Sequence, residues 1–309
     1  MSRPVTHQRP DQHVLILGCG YTGTELAQRL AFKGIPVVGT TRSEERAGII
    51  RTRGAHPVLY DGTDWGPLRR WRGRVRAVVS SIPPAMLGRG DAYEDPHAEL
   101  VEQLAAWDLD AFIYLSSTSV YGDKAGAVVD EATPCAPDSP RGRARLEIER
   151  RVLDSGLPAM VIRPAGIYGL GRSLLHHVAA GGYQLIAGGE AYINRIHVKD
   201  LAATIEAAIR RGTPGATYLG SDARPAPQRE VIDHITASYG LPAPTKMSLA
   251  EARVRLDRNV LAMVLGSKRL DASATREALG LRLRFPTYVE GLADVWQRQR
   301  AQIEGLVKG

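Results

Sequence analysis

Gly18-Cys19-Gly20-Tyr21-Thr22-Gly23 is a GxGxxG stretch, and glycines at that spacing suit the holding of a pyrophosphate. The first glycine permits a tight turn, the second lets backbone approach the phosphates closely, and the third lets a helix pack on its strand. N–H groups and the positive dipole end at the start of that helix supply the attraction. The plain alternative is a strand-to-helix turn with no ligand. A second set, Thr40-Thr41-Arg42-Ser43, stands where the following strand should end. An NAD(H)-binding chain would present a carboxylate there to the ribose 2′-hydroxyl, and none occurs before Glu44. Thr41 and Arg42 suit a 2′-phosphate instead, through charge-assisted forked hydrogen bonds, so NADP(H) is expected over NAD(H). An exposed residue before the next helix is the competing account of Arg42.

Such a loop works only between a strand and a helix. HVLILG (13–18) reads as the strand, and TELAQRLAFKG (24–34) carries helical spacing with Gly34 as its stop. Further apolar runs follow at 35–42, 56–61, 77–84, 111–122, 158–169 and 216–222, with helical patterns between most of them. That alternation predicts an α/β chain with a parallel sheet covered on both faces. HVKDLAATIEAAIRRG (197–212) is a clear amphipathic helix, and the region from about 223 reads as Pro-rich loops and short helices.

The chain of 309 residues, 44% hydrophobic and 24% charged, has the composition of an ordinary soluble globular protein. No apolar run reaches the roughly 20 residues that cross a bilayer, so no membrane partner is expected. The polar, basic start lacks a secretory h-region, and residues 1–12 read as a flexible tail. Cys19 and Cys135 stand far apart, which suggests neither disulfide nor zinc and fits a reducing cytoplasm. His176-His177 lacks a third ligand, so no metal is expected. The net charge of +7 comes from arginines scattered along the chain. They form no basic groove, so nucleic acid is not expected, whereas an anionic small molecule is a candidate ligand for a few of them.

SSTSVYGD (116–123), RPAGIYG (163–169) and NRIHVKDL (194–201), with the glycine loop, resemble the short-chain dehydrogenase/reductase superfamily in its extended, epimerase/dehydratase-like branch. GCGYTG departs from that branch's usual GxxGxxG and is closer to its atypical members. The resemblance implies a Rossmann-type doubly wound parallel sheet with a smaller C-terminal substrate lobe. Residues 13–165, with 196–222 returning, would bind the cofactor, and 166–195 with 223–309 would cap the substrate. Asp61, Ser81, Ile82 and Pro83 would lie on the adenine and ribose side, Ala165 and Ile167 near the nicotinamide, and Tyr168, Asn194 and Arg195 toward a small-molecule substrate. Ser117 matches the serine that orients substrate, although a backbone-bonded strand-end serine is the bland account. A homodimer stays open.

The family carries a Tyr-x-x-x-Lys pair on the helix after this segment. Here SPRGRARLE places Arg141 and Arg145 at those positions, on one helix face. Arginine holds its proton near neutral pH, so Arg141 is no replacement acid or base. Arg145 can still donate to the cofactor ribose, and Arg141 can hold an anionic group; an exposed face laced by Arg143–Glu147, Arg145–Glu149 and Glu147–Arg151 pairs is the alternative. Tyr121 and His197 are the other protonatable candidates, each with a structural account beside the catalytic one. Three functions therefore stay open: an NADP(H)-dependent oxidoreductase with a nonstandard proton donor, a non-catalytic NADP(H) sensor or scaffold, and a sugar-nucleotide epimerase or dehydratase.

Overall fold

The computed structural model describes residues 12–87 and 92–307; of the expected tail, all but Gln12 lies outside them. Seven parallel strands form the central sheet: β1 His13–Leu17, β2 Val37–Thr41, β3 His56–Leu59, β4 Val75–Ser80, β5 Ala111–Leu115, β6 Ala159–Pro164 and β7 Thr217–Gly220. Their spatial order is β3-β2-β1-β4-β5-β6-β7. The chain winds outward from β1 to β3, then crosses back to β4 on the other side. Between β1 and β4 the direction of winding reverses, and the crevice at their carboxyl ends is where such sheets bind ligands.

Burial on both faces explains why these strands read as continuous apolar runs rather than alternating ones. Along β1, Val14 and Ile16 pack on one side with Leu26 and Leu30 of helix Tyr21–Phe32 and with Leu201 and Ile205 of helix Val198–Arg211. Leu15 and Leu17 pack on the other with Leu100 and Leu104 of helix His97–Ala105 and with Ile148 and Val152 of helix Pro140–Leu153. One residue of register thus selects the covering helix.

A separate apolar cluster holds the second lobe, with Tyr168, Leu175, Val178, Val231, Ile235, Leu292 and Val295 at its centre. Its longest element is the helix Tyr288–Val307. Two further strand pairs lie outside the central sheet: Gly166–Tyr168 runs parallel to Arg195–His197, and Arg269–Leu270 runs parallel to Val128–Val129. Residues 269–281, placed wholly in the lobe on sequence grounds, run along the sheet side instead: Leu279 joins the β1-face core, and the Thr275 hydroxyl accepts the Leu219 N–H at 2.8 Å. Among the described residues no helix is long and apolar enough to cross a membrane.

Candidate active site

The glycine loop follows β1 directly. Gly18 has a φ of +75°, which favours glycine, and a Cβ there would meet Ser81 Oγ at 3.2 Å and Ile82 Cγ1 at 3.3 Å. Two bonds across the crevice fix the turn: the Gly18 N–H donates to Thr40 Oγ1 at 2.9 Å, and the Ser81 hydroxyl donates to the Gly18 carbonyl at 2.6 Å. Gly20 opens helix Tyr21–Phe32 with no side-chain cap, and the first turn holds no acidic residue. The third glycine, Gly23, packs near Ile16 and Cys19 of the strand end. This cradle fits a phosphate group: the Gly18, Cys19 and Gly20 N–H groups are engaged by oxygens of Thr40 and Gly18, but the first-turn N–H groups that follow have no intrahelical acceptor and no acidic residue stands among them. Pro83 and Arg42 are exposed beside it, and Ser43, not Arg42, caps the next helix through the Arg46 N–H. Thr41 Oγ1 accepts from the Ser43 N–H. Asp61 is less open than expected: its Oδ1 accepts from Thr63 N, Thr63 Oγ1 and Asp64 N, and these bonds hold its carboxyl below the usual range.

Farther along the strand ends a cavity of about 540 Å³ opens between sheet and lobe. It gathers Ser117, Arg141, Arg145, Ala165, Ile167, Tyr168, Asn194 and Arg195, which the sequence had scattered over 79 positions (117 to 195). The loop residues Gly18 to Gly23 do not line it. Tyr21 bridges the two regions, because its hydroxyl donates to the Leu170 carbonyl at 3.1 Å and its ring lies under the guanidinium of Arg172, a cavity residue. Among the described residues the lining carries five cations, Arg141, Arg145, Arg172, Arg195 and Lys268, against one carboxylate, Asp138. The space is therefore strongly electropositive.

Each cation is held differently. Arg145 donates through Nη1 to the carbonyls of Leu115 and Ser116, at 3.3 and 3.0 Å, so it clamps the end of β5 that presents Ser117. Burial pulls its pKa down from the ordinary arginine value, yet not toward proton exchange at neutral pH. Arg141 is exposed at the start of helix Pro140–Leu153, whose N-cap Ser139 accepts from Gly142 N. Among the described residues, none of the three proposed i,i+4 ion pairs forms on this helix. Glu149 turns inward to Arg163, and Arg151 reaches Asp95. Lys268 Nζ donates to the Gly122 carbonyl at 2.8 Å, and burial lowers its pKa.

Two candidate proton donors leave the site. Tyr121 is fully buried in the 3₁₀ turn Thr118–Tyr121; its hydroxyl donates to the Asp130 carbonyl at 2.9 Å and accepts from Arg163 Nη1 at 2.8 Å. Burial pushes its pKa up to about 12. His197 caps helix Val198–Arg211 by accepting the Lys199 N–H, with its ring between Tyr168 and Phe285. Burial holds it near pKa 4, so it is neutral and shut off from the cavity. Asn194 lines the cavity, but its amide already serves backbone, donating to Lys268 O and accepting from Leu270 N. Tyr168 lies with its hydroxyl pressed on the backbone at Gly291. Ser117 keeps its place: half-buried, its Oγ accepts only the Ser119 N–H at 3.2 Å.

Lys268 and Ser116 were not anticipated. Ser116 is 4% exposed, faces the cavity, and its hydroxyl has no protein partner. Its signal was available, since a serine at the carboxyl end of a buried strand points to the ligand side. Lys268 had none: the lobe brings it from 151 residues beyond Ser117. Among the described residues no group of His, Cys, Asp and Glu could hold a metal ion.

Comparison with known proteins agrees with this geometry. Residues 14–219 match the model of the NAD dependent epimerase/dehydratase family. Protein YeeZ of Escherichia coli K12 is 30% identical over 224 residues, 69% of this chain and 79% of that protein. The 3-diazoavenalumate denitrifying reductase of a Streptomyces species is 27% identical over 230 residues, 71% of this chain and 75% of that protein. A conserved protein of unknown function from Silicibacter pomeroyi superposes with a TM-score of 0.82 at 33% identity, covering 93% of this chain and 99% of that one. With a sheet that reverses at the glycine loop and a cavity on the same strand ends, the chain belongs to the NAD dependent epimerase/dehydratase family and is an NAD(P)-dependent oxidoreductase or epimerase-like enzyme.

Proposed function

We propose that this enzyme is an NADP(H)-dependent oxidoreductase acting on a small molecule held in the cavity between sheet and lobe. The observation that carries the reading is a single cavity joining the strand-end residues Ser117, Ala165 and Ile167 to a ring of cations. When bound, the nicotinamide supplies a hydride or accepts one, and the protein supplies binding, orientation and electrostatics. Ser117 retains its own proton for donation to a substrate oxygen, and the free Ser116 hydroxyl is a second donor at the same strand end. Arg145 keeps that strand end in place, and Arg141 holds negative charge without exchanging a proton. Lys268 is the cavity group assigned as proton source, because burial makes its ammonium proton easier to release.

The reductase named among the relatives supports reduction, and the absence of the Tyr-x-x-x-Lys pair weighs against epimerisation, which must first take a proton from an alcohol. Arg42, exposed beside the loop, supports NADP(H). Titration of NADPH and NADH into the parent and Arg42→Ala, by quenching of protein fluorescence, tests the reading. Loss of charge-assisted bonds to the 2′-phosphate should weaken NADPH by roughly 10- to 100-fold and leave NADH within about twofold. Equal affinities for both dinucleotides in the parent would refute it.

A further inference from the structure

Arg195 is a buried charge with few partners among the described residues. It is 7% exposed and lines the cavity, yet its guanidinium makes one hydrogen bond, from Nη1 to the Ile193 carbonyl at 3.2 Å. No carboxylate forms an ion pair with it among the described residues. Asp222 acts on it only through space, and burial pushes that carboxyl up to about 7. A guanidinium has five N–H donors, and one bond leaves most of them available to an acceptor in the cavity. Other guanidinium nitrogens are not among the buried atoms that lack partners, so the solvent they reach is the cavity itself.

The place of Arg195 gives the site a direction. Its strand pairs in parallel with Gly166–Tyr168, and Gly166 lies directly opposite it, next to Ala165 and Ile167. Tyr183 lies near Arg195, and the lining of the same cavity includes Tyr192, Leu174 and Leu292, the two tyrosines half-buried. The Tyr183 hydroxyl is already used, donating to Gln228 Oε1 at 2.9 Å.

We propose that Arg195 clamps a carboxylate of the substrate, and that the substrate is a compact aromatic or apolar carboxylic acid. The assignment rests on the reading of this cavity as the substrate site. A planar guanidinium fork matches a carboxylate. Apolar walls then take the rest of the molecule. The same 540 Å³ must also admit the nicotinamide ring, which favours a compact acid over a nucleotide sugar.

Binding of 3-phenylpropanoate and its neutral amide, 3-phenylpropanamide, to the parent and to Arg195→Met tests the clamp. Calorimetry is run with and without saturating NADP⁺, and NADP⁺ affinity and thermal midpoint are recorded for both proteins. The parent should bind the acid roughly 10- to 100-fold more tightly than the amide, and Arg195→Met should lose that preference. Met matches the volume and removes an unpaired buried charge, so the ligand-free midpoint should hold or rise while NADP⁺ affinity stays unchanged. A parent with no preference for the acid, or a variant that keeps it, overturns the proposal. So does a fall in thermal midpoint or in NADP⁺ affinity, which would assign Arg195 to the scaffold or the cofactor. Failure of the parent to bind NADP⁺ while the acid preference persists would instead count against the proposed function and leave the clamp standing.

Discussion

Removing the Tyr121 hydroxyl should cost stability and leave the chemistry intact. Tyr121→Phe keeps the ring, which lies under the Arg163 guanidinium at 4.9 Å from its centroid, so packing is preserved. Two bonds disappear, one to the Asp130 carbonyl and one from Arg163 Nη1. Asp130 is exposed, and water can replace the first bond. The second matters more: Arg163 is 7% exposed, and its other donors already face Glu149. An orphaned N–H on a buried charged group costs about 1–3 kcal/mol, and the neutral bond adds about 0.5–1 kcal/mol, so a loss of about 2–3 kcal/mol is expected. Urea unfolding should show it as a lower midpoint at unchanged slope, with NADPH affinity and any NADPH-dependent turnover within about twofold of the parent. The reasoning fails if stability is unchanged while turnover falls a hundredfold, for that would put the hydroxyl at the reacting atoms.

Lys268→Met should leave NADPH affinity unchanged while turnover drops by roughly 10²-fold or more, as expected when a general acid is lost; a variant as fast as the parent would take the proton source away from Lys268. His197, held near pKa 4 against an ordinary 6.5, makes folding weaken as pH falls below about 6.5, because the unfolded chain binds a proton that the folded chain excludes until about pH 4. The full effect is about 3 kcal/mol; Asp222, raised to about 7, tilts stability the opposite way, so the parent is compared with His197→Asn by urea unfolding at pH 7.5 and 5, and equal losses in both proteins would be the contrary result.

The sheet was legible because its strands are buried on both faces, and HVLIL or AFIYL has little else to be. The glycine loop was legible because Gly18, Gly20 and Gly23 each answer a backbone demand that other residues meet poorly. Direction of a side chain was not legible at strand ends. Tyr121 stands four residues beyond Ser117, yet the 3₁₀ turn between them rotates its ring inward to Arg163 while Ser117 stays at the cavity. Helix Tyr288–Val307 escaped notice for a related reason: only Tyr288, Gly291, Leu292, Val295 and Ile303 of it are buried, and the helical geometry breaks at Gln299. Arg195 was marked by the NRIHVKDL resemblance, whereas Lys268 acquires meaning only when the folded chain brings it beside Ser117.

Two arginines in place of a tyrosine and a lysine need not mean that chemistry was lost. The familiar pair couples two tasks, positioning and proton transfer. In this cavity the tasks are divided. Arg145 takes up positioning, through two carbonyls at the end of β5 that a lysine's single ammonium would bond with less geometric control. Charge stabilisation falls to a ring of cations opposed by one carboxylate, in a low-dielectric space where such groups act more strongly than in water. A reaction that first develops negative charge on a substrate oxygen can use that ring before any proton arrives. Proton delivery then needs only a group that can release one at the cavity wall, and Lys268 has both the exposure to the cavity and the lowered pKa for it. The reverse reaction needs the same group to take its proton back, and the lowered pKa of Lys268 serves proton transfer in either direction. The electrostatics of this site therefore suit a transition state that places negative charge on a substrate oxygen, in whichever direction the hydride moves.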